Sequence, residues 1–239
     1  MGRGMNNTDR IDFISAYCDS WCERCAYTSR CSAFAVQAAI AMCGDTRDGF
    51  ELAIGTPHPV EETRNEPDEA WLGFENLEIS ARELSSLQRS VGARIVRVEE
   101  TSIMKRAWKI PRLSLRWLAR SGKVRAAADD VLREALDIVR WDATLVLPKL
   151  ARALDGRDRY EQGEDGDDDP VQNDWNGSAK VALISLERSE MAWRLIAQST
   201  GDADPAALAE QIADLRREVE RTFPNARSFI RPGFDEPDR

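Results

Sequence analysis

At 239 residues, with 42% hydrophobic and 31% charged side chains, the chain can bury a sizeable core and has the composition of a folded soluble protein. No apolar run approaches the roughly 18–20 residues that a membrane span needs, and the first ten residues hold no apolar stretch of a secretory signal, so a cytoplasmic protein with reduced thiols and no membrane partner is expected. The net charge of −9 argues against a generic nucleic-acid binder.

The predicted elements are helical throughout. Ile11, Ile14, Cys18, Trp21 and Cys25 share related faces of a helix over 9–24, which Tyr27-Thr28-Ser29 interrupts. A second helix over 29–43 follows, with Cys31, Phe34, Ala38 and Met42 at helical spacing and Gly44 as its stop. Residues 44–79 read as irregular from their glycines and prolines, apart from a short helix over 68–74 after Pro67. Ser80-Ala-Arg-Glu83 is a capping box and opens a helix with Leu84, Leu87, Val91, Ile95 and Val98 on one stripe. Pro111 should break or kink the next segment, and Gly122 marks its end.

The clearest periodicity lies over 126–154, where Leu132, Leu136, Val139, Ala143, Val146 and Leu150 form a continuous stripe that Pro148 should bend. Residues 156–172 read as a mobile acidic loop. The helix over 178–199 is apolar around most of its circumference and should be central. Asp204-Pro205 signals the start of a last helix carrying Leu208, Ile212, Leu215, Val219 and Phe223, and 224–239 reads as a loose tail. The expectation is one all-α domain over 1–239, a bundle of five to seven helices with an N-terminal Cys-rich helical hairpin over 9–44.

The chemistry is concentrated at Cys18, Cys22, Cys25 and Cys31, four thiols within fourteen residues at the spacing C-x3-C-x2-C-x5-C. On one straight helix the first three would point the same way but span about 10 Å, too long for ligands of one centre. The chain must therefore turn around Cys22–Cys25 and come back with Cys31. Such a loop suits a compact metal centre, a [4Fe-4S] cluster ahead of Zn²⁺. Buried packing thiols, or a redox pair of Cys22 and Cys25, are the alternatives. Cys43, about 18 Å further along the second helix, reads as a core residue.

The C-x2-C-x5-C half, Cys22, Cys25 and Cys31, resembles the cluster loop of the endonuclease III family of DNA glycosylases, which holds a [4Fe-4S] cluster. The resemblance implies ligand roles for these three residues. It does not extend to DNA repair, because the first gap is shorter and the family's helix-hairpin-helix with its catalytic Lys and Asp is not visible. Cys18, Cys22 and Cys25 also match the C-x3-C-x2-C triplet of radical-SAM enzymes, but the strands of their barrel are missing from the pattern.

Other chemistry is thin. His58 is the single histidine, so neither a His-rich metal site nor a Ser-His or Cys-His nucleophile can be built, and no acid, base and nucleophile set marks an enzyme. Glu187/Glu190 and Glu134/Asp137 lack the Glu-x-x-His of di-iron bundles. Arg188 lies on an apolar helix side and needs a partner, for which Asp142 is the candidate in a structural ion pair. Residues 89–125 carry a local charge of +9 with Trp108 and Trp117 interleaved. Arg94, Arg97, Lys105, Arg106, Lys109, Arg112, Arg116 and Arg120 make up a candidate binding face. An acidic protein or a redox partner is the expected class, with nucleic acid less favoured. The leading expectation is an iron–sulfur protein with a redox or oxidant-sensing role. The second is a zinc-stapled module that binds an acidic partner or nucleic acid through 89–125.

Overall fold

The computed structural model describes residues 10–54, 80–164 and 169–236. Among these residues there are no strands, and the helices are α1 (Ser32–Cys43), α2 (Thr46–Ile54), α3 (Ala81–Glu99), α4 (Ser102–Ala107), α5 (Lys109–Arg120), α6 (Gly122–Ala127), α7 (Asp130–Glu161), α8 (Asp174–Thr200) and α9 (Ala203–Thr222). The fold is all-α. Six of these helices have twelve residues or more, within the expected five to seven, and α2, α4 and α6 are shorter. No helix of the described residues is long and apolar enough to cross a membrane. In place of the single domain expected over 1–239, the chain divides into two compact units: Met1–Ser15 with Cys22–Ala93, and Ala16–Trp21 with Arg94–Arg239.

In the second unit α8 is central, packed against both α7 and α9. Its Leu183, Leu186, Trp193 and Ile196 are completely buried, as the all-round apolar pattern anticipates, although Met191 is exposed. Side chains cap the starts of these helices: Asp129 accepts from Leu132 N, Asn173 from Asn176 N and Asp202 from Asp204 N. The cap of α9 is thus Asp202 and not Asp204, because the Asp202 carboxylate also holds the Trp117 indole N–H at 2.7 Å. Pro111 falls in the first turn of α5, where its missing N–H costs nothing, and the two helices meet at Trp108, whose backbone stays in the right-handed helical region.

Two expectations for this unit fail through tertiary contacts. The acidic loop expected over 156–172 is helical as far as Glu161, because Gly156 is buried against Trp175 and Tyr160 packs on the Trp175 ring at 4.8 Å. The tail expected to be loose from 224 is docked as far as Asp235. Ala226 and Phe229 are buried, Asp235 pairs with Lys180 at 2.7 Å and Arg231 at 2.9 Å, and Gln172 bonds Ile230 in both directions.

The first unit is sparser. Gly49 is buried where α2 crosses α1, and a β-carbon there would overlap Ile40. The helix α2 falls inside a stretch expected to be irregular; Asp45 accepts from Arg47 N and Asp48 N and starts it in spite of Gly49. The helix expected over 68–74 and His58 lie outside the described residues. The stripe of α3 expected to face a core leaves Leu84, Leu87 and Ile95 about half exposed, and only Val98, on the second unit's side of the division, is buried. Cys43, expected in a core, is exposed at the last turn of α1 beside the left-handed Gly44.

Candidate metal loop and its clamp

Residues 10–31 do not form the first arm of a helical hairpin. They run as turns with two 3₁₀ segments, Cys22–Arg24 and Thr28–Arg30, and only the second arm, α1, is an α-helix. Phe13 and Ser20 adopt left-handed φ of 59° and 56°, which a continuing right-handed helix does not tolerate. Asp19 Oδ1 accepts from Trp21 N at 3.1 Å, a local bond that competes with helix hydrogen bonds.

Ala16–Trp21 forms a strap on the second unit. Its odd-numbered side chains grip the helices. The Tyr17 hydroxyl donates to Asp174 Oδ1 at 3.1 Å, and its ring lies 4.7 Å from Phe229. Gly177 leaves room for that ring, since a β-carbon there would overlap both Tyr17 and Phe229. Arg152 pairs with Asp174 at 2.5 Å and reaches over the Tyr17 ring. Trp21 stacks on Trp141 at 5.1 Å, and the Trp141 indole N–H donates to the Asp19 carbonyl at 2.9 Å. Lys149 donates to the Ala16 carbonyl at 3.1 Å.

Beneath the strap, Arg188 binds Asp142 through two bonds, Nη2 to Oδ1 at 2.5 Å and Nε to Oδ2 at 3.2 Å. The Asp142 side chain is 0% exposed, so this is a buried carboxylate held by a forked guanidinium. Arg188 Nη1 also reaches Asp19 Oδ2 at 2.7 Å, and its guanidinium sits 5.5 Å over the Trp21 ring. Burial pushes the Asp142 carboxyl up to about 6, against the Arg188 bonds and charge, which hold it down. Both partners are therefore charged at neutral pH. The register of α7 and α8 points to Asp142 and Arg188 from sequence alone. The roles of Tyr17, Asp19, Trp21, Trp141, Lys149 and Gly177 have no helical signal; the odd-numbered aromatic and acidic residues flanking Cys18 are the trace that could have revealed the strap.

Cys18, Cys22, Cys25 and Cys31 are half-buried, and no described cysteine is in a disulfide. Backbone N–H groups two residues on point at two of the sulfurs: Ser20 N to Cys18 Sγ and Tyr27 N to Cys25 Sγ, both at 3.4 Å. On the second unit, burial lowers the Lys149 pKa, and the neighbouring carboxylates Asp174 and Asp19 oppose it. In the first unit, Ile11 N donates to the Arg30 carbonyl at 3.1 Å and Arg10 to the Ala53 carbonyl at 2.8 Å, fastening the loop to α2. Cys31 is the N-cap residue of α1 and makes no side-chain capping bond. Among the described residues, no group of three or more His, Cys, Asp or Glu side chains is gathered as a metal ion requires.

The remaining candidates separate by their partners. Glu187 pairs with Arg227, and Glu190 lies between Arg194 and Arg216. Within the basic segment, Arg94 pairs with Asp155 and Glu164, Arg97 with Asp158, Arg106 with Glu218 and Arg120 with Asp204. Those four are struts within the second unit. Lys105, Lys109, Arg112 and Arg116 are exposed and carry no ion pair among the described residues. No protein-family model matches the sequence, and neither a curated protein nor a solved structure matches it.

Proposed function

We propose that the Cys18–Cys31 loop binds a metal centre through Cys18, Cys22, Cys25 and Cys31, a [4Fe-4S] cluster ahead of Zn²⁺, and that the protein has a redox or oxidant-sensing role. The observation that carries this reading is a turn-rich loop without α-helix that holds four thiols within fourteen residues, two of them accepting backbone N–H bonds from the residue two places on. Backbone N–H groups aimed at sulfur are the contacts that tune the potential of a bound cluster. A bound cluster would supply one-electron chemistry; the chain would supply the thiolates, the N–H bonds to them and the clamped strap.

Zinc is the second reading, favoured by the little apolar burial in the first unit. Among its described residues only Ile14, Ala39 and Gly49 are buried, and small units with thin cores are commonly stapled by metal. The test is anaerobic purification followed by iron, sulfide and zinc analysis and a visible spectrum. About four iron and four sulfide per chain, with a visible band that bleaches on reduction, support the cluster. Stoichiometric zinc makes the loop a structural staple. Neither metal, with four alkylatable thiols, overturns the proposal.

A further inference from the structure

We infer that Lys105, Lys109, Arg112 and Arg116 form a nucleic-acid-binding stripe that engages the phosphate backbone, flanked by Trp108 as a stacking platform. This does not rest on the metal loop, which lies elsewhere in the sequence.

The pairing pattern singles these four out. Arg94, Arg97, Arg106 and Arg120 of the same basic segment are each neutralised by a carboxylate of the second unit. The four stripe residues are solvent-facing and have no such partner among the described residues. They also fall on one face in helical register. Trp108 joins α4 to α5 with its backbone in the right-handed helical region, so the register carries across the junction. At 100° per residue the four cations fall within an arc of about 60°, and at 1.5 Å rise they extend over about 16 Å. One strand of a duplex presents about five phosphates over that length.

Trp108 is 53% exposed and Leu115 47% exposed, both along one flank of the stripe. An exposed indole beside cations is the arrangement on which an unpaired base stacks. An acidic protein fits less well. Protein interfaces are depleted in Lys and place an apolar cluster at their centre, whereas here charges occupy the midline, two of the four are lysines, and the aromatic side chain lies at the edge.

The test is fluorescence anisotropy of the full chain with a labelled single strand of ~20 nucleotides and the matching duplex, from about 50 to about 200 mM salt. Binding should weaken with a log–log salt slope of roughly −3 to −4, as four phosphate contacts require. The K105E/K109E/R112E/R116E variant should lose at least about tenfold in affinity while keeping the parental circular dichroism. A milder R112Q/R116Q variant, a safeguard against misfolding, should flatten the slope by about 2. W108A should weaken the single strand more than the duplex. No binding at low salt, a folded charge-reversed variant that binds as the parent does, or polyglutamate binding as tightly as nucleic acid would each overturn the inference.

Discussion

In the second unit α8 buries Leu183, Leu186, Trp193 and Ile196 completely, whereas α1 in the first unit, apolar around most of its surface, buries Ala39 alone. By composition α1, which has no charged residue, is the more apolar of the two, yet α8 with its six charged side chains is the one that is buried. Around α8, polar side chains serve to lock the packing: Asp142 to Arg188, Arg227 to Glu187 and Glu220, and Lys180 to Asp235. Around α1 the fastening is by backbone bonds of a turn-rich loop that carries thiols. Hydrophobic burial holds one region; in the other, a metal on the thiols would make up for burial that the described residues lack.

Truncating a leucine in each region tests this contrast most strongly. Leu186→Ala should cost about 2–5 kcal/mol in urea unfolding, and Leu52→Ala, at a side chain 58% exposed, no more than about 0.5 kcal/mol. Equal costs would erase the distinction.

The ion pair comes next. Arg188→Met should cost about 3 kcal/mol, because the Asp142 carboxylate is left buried without its fork; an unchanged urea midpoint would show that the pair holds nothing. The pH dependence sharpens this. The raised Asp142 group contributes stability that is full below its unfolded value of about 3.9 and is lost as pH rises through about 6. Without Arg188 its pKa rises further, so the deficit of the variant should be larger at about pH 8 than at about pH 5. Asp158, Glu220 and Asp235, held low by Arg97, by Arg227 and by Arg231 with Lys180 against the cost of burial, act in the other direction, and their stability is lost on acidification.

Gly177→Ala should cost about 1–3 kcal/mol by forcing the Tyr17 ring and Phe229 apart, and should speed alkylation of Cys18 beside the displaced Tyr17. Unchanged alkylation would mean that the strap is held without Tyr17. The smallest effect is expected for Tyr17→Phe, about 0.5–1.5 kcal/mol for the lost bond to Asp174, read from the urea midpoint.

The helices of the second unit were legible because their information is local. The stripe from Leu132 to Leu150 and the Asp204-Pro205 start signal lie within a few residues of the features they specify. Asp142 and Arg188 were legible for a related reason: a charge on an apolar helix side demands a partner. The acidic stretch after Gly156 and the tail after Phe223 were misjudged because composition there points to solvent, while Trp175, Lys180 and Gln172, distant in sequence, hold them in place.

By itself the sequence determined the all-α class, the long helices of the second unit and the concentration of thiols near the N-terminus, since period, capping and spacing are properties of neighbouring residues. The tertiary structure alone decided that 16–21 is a strap and not a helix, that α3 and Cys43 face solvent, and that the basic segment divides into paired struts and an unpaired stripe. The physical reason is the same in each case. Which polar groups find partners, and which apolar faces find cover, depends on residues tens to more than a hundred positions away, as in Arg188 with Asp19.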